Sequence, residues 1–556
     1  MAKKKKKSGA KARSTHNIPQ NHKPQPSRSS VMEANRGPSW LEMVVVLGTL
    51  LLLVLYPLFN TNGLYQNLEA KYLFLTRFGT VFVLLSVILL LVSNRKDLNF
   101  RKTGTEKKWL LLFGLAIVVS ACAATDPAEA WIGESARKLN AWVLLLCIAI
   151  FLIISAYVRI SDLLFWVLVI GNSVISLLAI LNFYGIDTMN SYSLLSDADK
   201  RIYLGLFGNI NTNAAYTSLM LALAVMLCLH AAGKAKKIAA YIWLFLVCMH
   251  AFAARSDSIA ITFIVLYAFL WIYTLSIPSR AGERKLWLRT KKVAGSTGIC
   301  LVFLLTSVIM QLTVRFLKGQ NVAIAKYGKS LLRRFFTIRG LWIQAGLLVL
   351  ILAAVLLAAS IAVKKEKGES SGTGKRIGIG ILCAALVLGA VVLVLNLFFY
   401  DRDLGALSFL ILPASAGTGR MGLWRLTLAA IGGSGIKQVL VGCGPNNYYS
   451  LMYPMYETEL SALQSGVVFN DAHNDLLQYF SVTGLFGLVT YLGFLLTLLK
   501  KGLHSLHTNP YAAATVALLL AYFVQGIANN PSIFTTPLFF VYLAILAAGM
   551  RKEKGR

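Results

Sequence analysis

Long apolar runs recur through almost the whole of this chain, separated by short breaks rich in lysine and arginine. Crossing the hydrocarbon of a bilayer takes about 20 apolar residues at about 1.5 Å of rise each. Runs near that length lie at 41–59, 76–93, 109–123, 141–158, 163–184, 214–232, 239–254, 258–276, 293–312, 341–363, 377–399, 482–499, 512–528 and 537–549. The pattern predicts an all-α polytopic membrane protein of about 12–14 transmembrane helices. Only 14% of the 556 residues are charged, against about 25% in water-soluble domains. Such a chain cannot cover its surface in water, so lipid is its solvent.

The distribution of charge sets a topology. The formal charge of +32 comes from lysines and arginines clustered in the breaks, with no interleaved basic and aromatic groove and no nucleic-acid motif. Cytoplasmic loops carry the excess of Lys and Arg. With the N-terminus inside and the fourteen runs alternating, the cytoplasmic breaks hold Arg95 to Lys108, Lys234 to Lys237, Arg280 to Lys292, Lys364 to Arg376, Lys500 and Lys501, and Arg551 to Arg556. Both termini are then cytoplasmic. One external break, 313–340, departs from the rule with seven basic residues. It is either an amphipathic helix on headgroups or a cationic wall beside an anionic substrate.

Four regions follow. Residues 1–40 are a polybasic, disordered cytoplasmic tail beginning with Lys3 to Lys7, suited to anionic headgroups. Residues 41–399 are an N-terminal helix bundle, 400–480 a large external loop, and 481–556 the last helices with a short basic end. Seven scattered cysteines, at 122, 147, 228, 248, 300, 383 and 443, form no C-x-x-C pair and read as small apolar side chains.

A connection as long as the external loop is uncommon unless it is functional or disordered. This one is not of low complexity, and Leu423 to Ile436 reads as a short helix. Three external clusters stand out. The first is Arg201-Ile-Tyr-Leu-Gly-Leu-Phe-Gly-Asn209-Ile-Asn211. The second is Gly419-Arg420-Met-Gly-Leu-Trp424, followed by Gly442-Cys-Gly444-Pro-Asn-Asn-Tyr448. The third is Asp471-Ala-His473-Asn474-Asp475-Leu-Leu-Gln478, followed by Gly484-Leu-Phe-Gly487 at the start of the next run.

This order of elements resembles the O-antigen ligase and polymerase superfamily of bacterial membrane glycosyltransferases. The resemblance covers most of the hydrophobic chain, with its specific part at about 200–215 and 417–490. It implies an enzyme that transfers a glycan from an undecaprenyl-pyrophosphate carrier to an acceptor hydroxyl at the outer face of the bacterial plasma membrane. The acceptor is a glycan, lipid or protein. The route it implies is inverting and independent of metal or other cofactor, with external arginines on the pyrophosphate and a loop histidine near the acceptor. A further arginine of the family sits in a Ser-Arg-Gly-like turn. The corresponding break here reads Ala254-Arg255-Ser256-Asp257-Ser258, with Asp257 near the glycine's place.

The residue types fit that chemistry on their own terms. A departing pyrophosphate gathers negative charge, and arginine offers it a permanently charged planar fork. A hydroxyl nucleophile must lose a proton, and a histidine titrating near neutrality can take it, a contribution of roughly 10²–10⁴-fold. His473 is the only one of seven histidines that the topology places in an external loop. We therefore assign catalytic roles to His473 and Arg420; Arg201 is either a further phosphate ligand or an interfacial anchor, and the resemblance implies a substrate-binding role for Arg255. Asn209, Asn211 and Asn474 either bind sugar hydroxyls or satisfy loop backbone. Trp424 accompanies Arg420 in its motif. Gly442 and Gly444 shape a turn that brings backbone close to ligand or to a neighbouring helix. Asp475 or Asp471 is the partner of His473. Tyr448, Tyr449, Tyr453 and Tyr456 are either sugar platforms or interfacial aromatics. The rival function is a transporter or flippase of lipid-linked sugars, which would place ionisable groups and broken helices at the bilayer midplane.

Overall fold

Helices with apolar surfaces on nearly every side have to bury them against one another or against lipid. The structure, a computed structural model, describes residues 39–93, 104–134, 137–197, 199–275, 283–316, 391–463 apart from 403, 404, 406, 407, 409 and 410, and 468–551. Residues Trp40–Arg551 form one compact unit. The helices are α1 (Trp40–Leu58), α2 (Asn67–Val92, with a π turn at Leu75–Gly79), α3 (Thr105–Cys122), α4 (Pro127–Ile132), α5 (Ala141–Tyr157) and α6 (Asp162–Phe183). A two-stranded antiparallel hairpin, β1 (Tyr203–Leu204) and β2 (Gly208–Asn209), pairs Tyr203 with Asn209. Then come α7 (Ile210–His230), α8 (Lys234–Ala253), α9 (Asp257–Leu275), α10 (Glu283–Phe316), α11 (Arg420–Gly433), α12 (Ile436–Val441), α13 (Tyr448–Leu463), α14 (Asp475–His504), α15 (Pro510–Ala528) and α16 (Thr536–Gly549).

Among the described residues eight helices are long and apolar enough to cross a membrane: α1, α2, α6, α7, α8, α9, α14 and α15. Helices α5 and α16 and the stretch Ala294–Met310 of α10 are shorter apolar segments, and α3 begins with the charged residues Glu106, Lys107 and Lys108. This is the architecture of a multi-pass helical membrane protein. Each of the fourteen candidate runs that falls in the described residues is helical. The run at 341–363, residues 377–390, most of the 313–340 break and the N-terminal tail through residue 38 lie outside them.

Boundaries shift where polar residues are covered by protein. Helix α2 starts at Asn67, nine residues before the apolar run, because Lys71 is buried with its ammonium on the carbonyls of Pro57 and Phe59 at the end of α1. Helix α14 starts at Asp475, seven residues early, because the Asn474 carboxamide accepts the Leu477 N–H at 3.1 Å and so caps it. The external loop is fully folded where described. Leu423, Ile431, Tyr448, Met452, Leu460 and Phe469 build a small apolar core of their own under α11 and α13, joined to α14 through Val482.

The helix ends fall into two chemically distinct sets. At one end Arg159 pairs with Glu42 at 2.8 Å, Lys236 with Asp162, Lys501 with Glu106, and Arg551 donates to the Val158 carbonyl at 3.2 Å. At the other end lie the hairpin, α4, the loop helices, and the N-termini of α5, α7 and α14, each capped by an asparagine. The alternation read from the charges is thus repeated in the packing.

Candidate active site

The loop end gathers a buried carboxylate, a histidine and two arginines. Asp471 is 3% exposed. Its Oδ2 accepts from Arg137 Nε at 2.8 Å and from Asn530 Nδ2 at 2.9 Å. Its Oδ1 accepts the His473 backbone N–H at 2.9 Å and stands 3.3 Å from His473 Nδ1. Both oxygens are therefore committed, one to the bundle and one to the histidine. This geometry favours the proton on Nδ1 and leaves Nε2 as the acceptor. His473 itself is 25% exposed and adopts a left-handed backbone, φ 47°, which costs about 1–3 kcal/mol for a side chain other than glycine. The turn is over-determined by its neighbours: the Gln478 side chain accepts from Ala472 N at 2.8 Å, and Asn474 Nδ2 donates to the Ile527 carbonyl at 3.0 Å.

Arg420 opens α11 from a left-handed turn in which Thr418 and Gly419 have φ of 60° and 85°. Its Nε is buried without a hydrogen-bond partner. A guanidinium has five donors and no means of shedding its charge, so a buried and unsatisfied one points to an anionic ligand. Burial opposes the Arg420 charge and Asp471 favours it. Arg137, 38% exposed, spends only Nε on Asp471 among the described residues, so the rest of its fork is unengaged.

The electrostatics agree with the contacts. Burial alone would raise the Asp471 carboxyl, but His473, Arg137 and the hydrogen bonds from both outweigh it and hold it below the ordinary carboxylate range. Burial lowers the His473 imidazole, Asp471 raises it, and Arg137 and Arg420 lower it, leaving it below the ordinary histidine value. The neutral imidazole is thus the resting form at neutral pH, with a net positive surrounding.

The other sequence candidates divide. Asp475 does not join His473. It is buried, and it faces a separate cavity of about 20 Å³ lined with Tyr522, Gln525, Gly526, Asn529 and Asn530. Asp471 is therefore the partner. Asn209 caps α7, accepting from Asn211 N at 2.8 Å, and Asn211 accepts from Ser256 Oγ at 3.1 Å beside Arg255. Arg255, with φ 55°, is felt by Tyr192, whose hydroxyl donates to the Tyr203 carbonyl at 3.1 Å; Tyr203 in turn feels Arg137. This second cluster adjoins the first through those tyrosines. The Arg201 side chain lies outside what the structure describes, although its backbone ends a short helical turn, Asp199–Arg201. Trp424 is buried on α11 with an unpartnered Nε1.

Gly442 and Gly444 serve a neighbouring helix. Helix α14 is broken at Gly484, φ 65° and ψ −172°, and Gly442 sits against the break at φ 82° and ψ 178°. A Cβ on Gly442 would lie 2.5 Å from Gly484 N and from Val482 C. Cys443 N and Gly444 N donate to the freed carbonyls of Ser481 and Val482 at 2.9 and 3.0 Å.

Arg137 and Asn530 were not found from the sequence. The available signal was an arginine and a lysine, Arg137 and Lys138, in an external break that the positive-inside rule would leave uncharged. No family model matches the chain, and no curated protein is significantly similar to it.

Proposed function

We propose that the protein is a membrane glycosyltransferase that moves a glycan from an undecaprenyl-pyrophosphate carrier to an acceptor hydroxyl, with the lysine-rich helix ends cytoplasmic and the loop end on the outer face of a bacterial plasma membrane. The observation that carries this reading is the half-buried Arg420 side chain, its Nε buried and without a partner, beside a histidine held by Asp471. A cation without a partner is a place for phosphate, and a neutral imidazole with a free Nε2 is a base.

In this reading the acceptor O–H gives its proton to His473 Nε2. Its oxygen attacks the anomeric carbon, and the bond from that carbon to the carrier phosphate breaks with inversion. The electron pair leaves on the pyrophosphate, whose charge Arg420 and the unengaged part of Arg137 stabilise. Asp471 stabilises the imidazolium that forms. Asn209, Asn211 and Arg255 belong to the neighbouring cluster and contact the carrier-linked glycan, and the acceptor is a glycan, lipid or protein hydroxyl. Transport of a lipid-linked sugar is the second reading, favoured by the break in α14 at Gly484.

The test is complementation of surface glycan in a deletion strain, with wild type, Arg420→Ala and His473→Ala at matched membrane levels. The transferase reading expects wild type to restore the glycan and both variants to accumulate carrier-linked precursor on the outer face. Precursor trapped on the inner face supports transport instead, and full restoration by both variants overturns the site.

A further inference from the structure

The tyrosines of α13 do different things. Tyr448 is fully buried with its hydroxyl 2.7 Å from Thr427 Oγ1, so it belongs to the loop's small core. Tyr449 is 49% exposed. Its ring stacks on Tyr453, one helical turn on, with centroids 4.1 Å apart and planes at 18°. The Tyr453 hydroxyl accepts the Phe469 backbone N–H at 2.9 Å, and the Phe469 ring stands edge-on to His473 at 6.2 Å. An aromatic line therefore runs from an open ring face to the histidine.

The surroundings say what this face meets. Ser450 is exposed beside Tyr449, and Glu457, Thr458 and Glu459 are exposed beyond a kink at Tyr456. Carboxylates are expensive against acyl chains, so α13 is in water by Glu457. Interfacial tyrosines turn the hydroxyl towards water and the ring towards lipid; Tyr453 instead turns its hydroxyl inward, onto the Phe469 backbone.

We propose that Tyr449, backed by Tyr453, is a subsite for a carbohydrate ring of the acceptor. The C–H face of a pyranose carries partial positive charge and suits the negative face of an aromatic ring. The platform leads to His473, the group that deprotonates the acceptor, so it serves the acceptor. The inference rests on the transferase reading and deepens it: the acceptor is a glycan, not a bare protein or lipid hydroxyl.

The test holds the lipid-linked glycan fraction extracted from the deletion strain at saturation as donor and titrates the envelope glycan of the same strain as acceptor, with purified full-length enzyme. Tyr449→Ala, Tyr449→Phe, Arg420→Ala and His473→Ala are compared with wild type. Tyr449→Ala should raise the half-saturating concentration between about two- and tenfold, the range of a single aromatic contact, at unchanged maximal rate. Tyr449→Phe, which keeps the ring, should match wild type. If Arg420→Ala and His473→Ala are inactive while Tyr449→Ala saturates like wild type, the subsite is refuted and the transferase reading stands. If Arg420→Ala and His473→Ala convert the fraction normally, the transferase reading falls and takes the subsite with it.

Discussion

Asp471→Asn is the substitution that discriminates most, because the structure fixes what each carboxylate oxygen does. Oδ2 takes donors from Arg137 and Asn530, and Oδ1 takes the His473 N–H and faces Nδ1. An amide has one oxygen. With its NH₂ in the place of Oδ2 it confronts two donors, and the half-buried Asn530 amide loses its acceptor at a cost of about 1 kcal/mol. Arg137 adds less than a buried pair would, being 38% exposed and open to rehydration. With its NH₂ in the place of Oδ1 it makes Nδ1 the acceptor, moves the imidazole proton to Nε2 and removes the base. The second arrangement opposes one fixed donor, the His473 N–H, and not two, so it is the favoured one, and with it the loss approaches the whole contribution of general-base catalysis, roughly 10²–10⁴-fold in rate. The assay is initial rate of glycan transfer against pH, normalised to monodisperse protein by size exclusion. In wild type, rate is expected to fall only below the ordinary histidine value of 6.5, since burial holds His473 under it. Removing the negative charge with Asp471→Ala lowers the imidazole further, so the acid limb of the remaining activity moves to lower pH. An Asp471→Asn enzyme within twofold of wild type, or an acid limb that moves up, refutes the assignment.

Three further outcomes follow from the same geometry. Arg420→Lys keeps a charge but not the fork, and should lose about one to two orders of magnitude in transfer with the fold intact by thermal denaturation. Gly442→Ala forces a Cβ within 2.5 Å of the Val482 and Gly484 backbone in a region of φ and ψ open essentially to glycine alone. It should cost at least about 3 kcal/mol and deplete folded protein in membranes, whereas Gly432→Ala, where a Cβ meets nothing within 4 Å, should leave the melting temperature unchanged or raise it. Asn530→Ala removes one of the two donors on Asp471 Oδ2 and, with Arg137 still in place, should lower the transfer rate by about tenfold or less.

What the sequence disclosed follows from the range of the forces involved. Apolar runs report burial directly, so the helices were legible, and errors entered where protein covers a polar residue: Lys71 inside α2 and Asp475 at the start of α14. His473 and Arg420 were singled out by local motifs, and the structure places them near one another at the loop end. Asp471 remained one of two choices, since residues at 471 and 475 are equally near in sequence and only the fold turns one to the histidine and the other to a cavity. Arg137 and Asn530 approach Asp471 across 334 and 59 residues, and no local pattern encodes that. The double sense of Gly442 and Gly444 was legible, and backbone approach to a neighbouring helix is the sense the structure displays.

The break in α14 bears most on the choice between transfer and transport. Discontinuous helices in transporters leave carbonyls free at mid-membrane to hold an ion. Here the carbonyl of Ser481 takes Cys443 N, and that of Val482 takes Gly444 N and Ser120 Oγ, the last at 2.6 Å. Both carbonyls are engaged by protein donors from the loop and from α3. The break instead lets α12 end in close backbone contact with α14, which joins the loop's small core to the bundle through Val482. That core ends at Phe469 and Ala472, either side of Asp471, and Asn474 then starts α14. The close approach of Gly442 to Gly484 is thus part of what joins the loop carrying His473 to the bundle. With the Ser481 and Val482 carbonyls held by protein donors, a transport site at this break would have to draw on other groups.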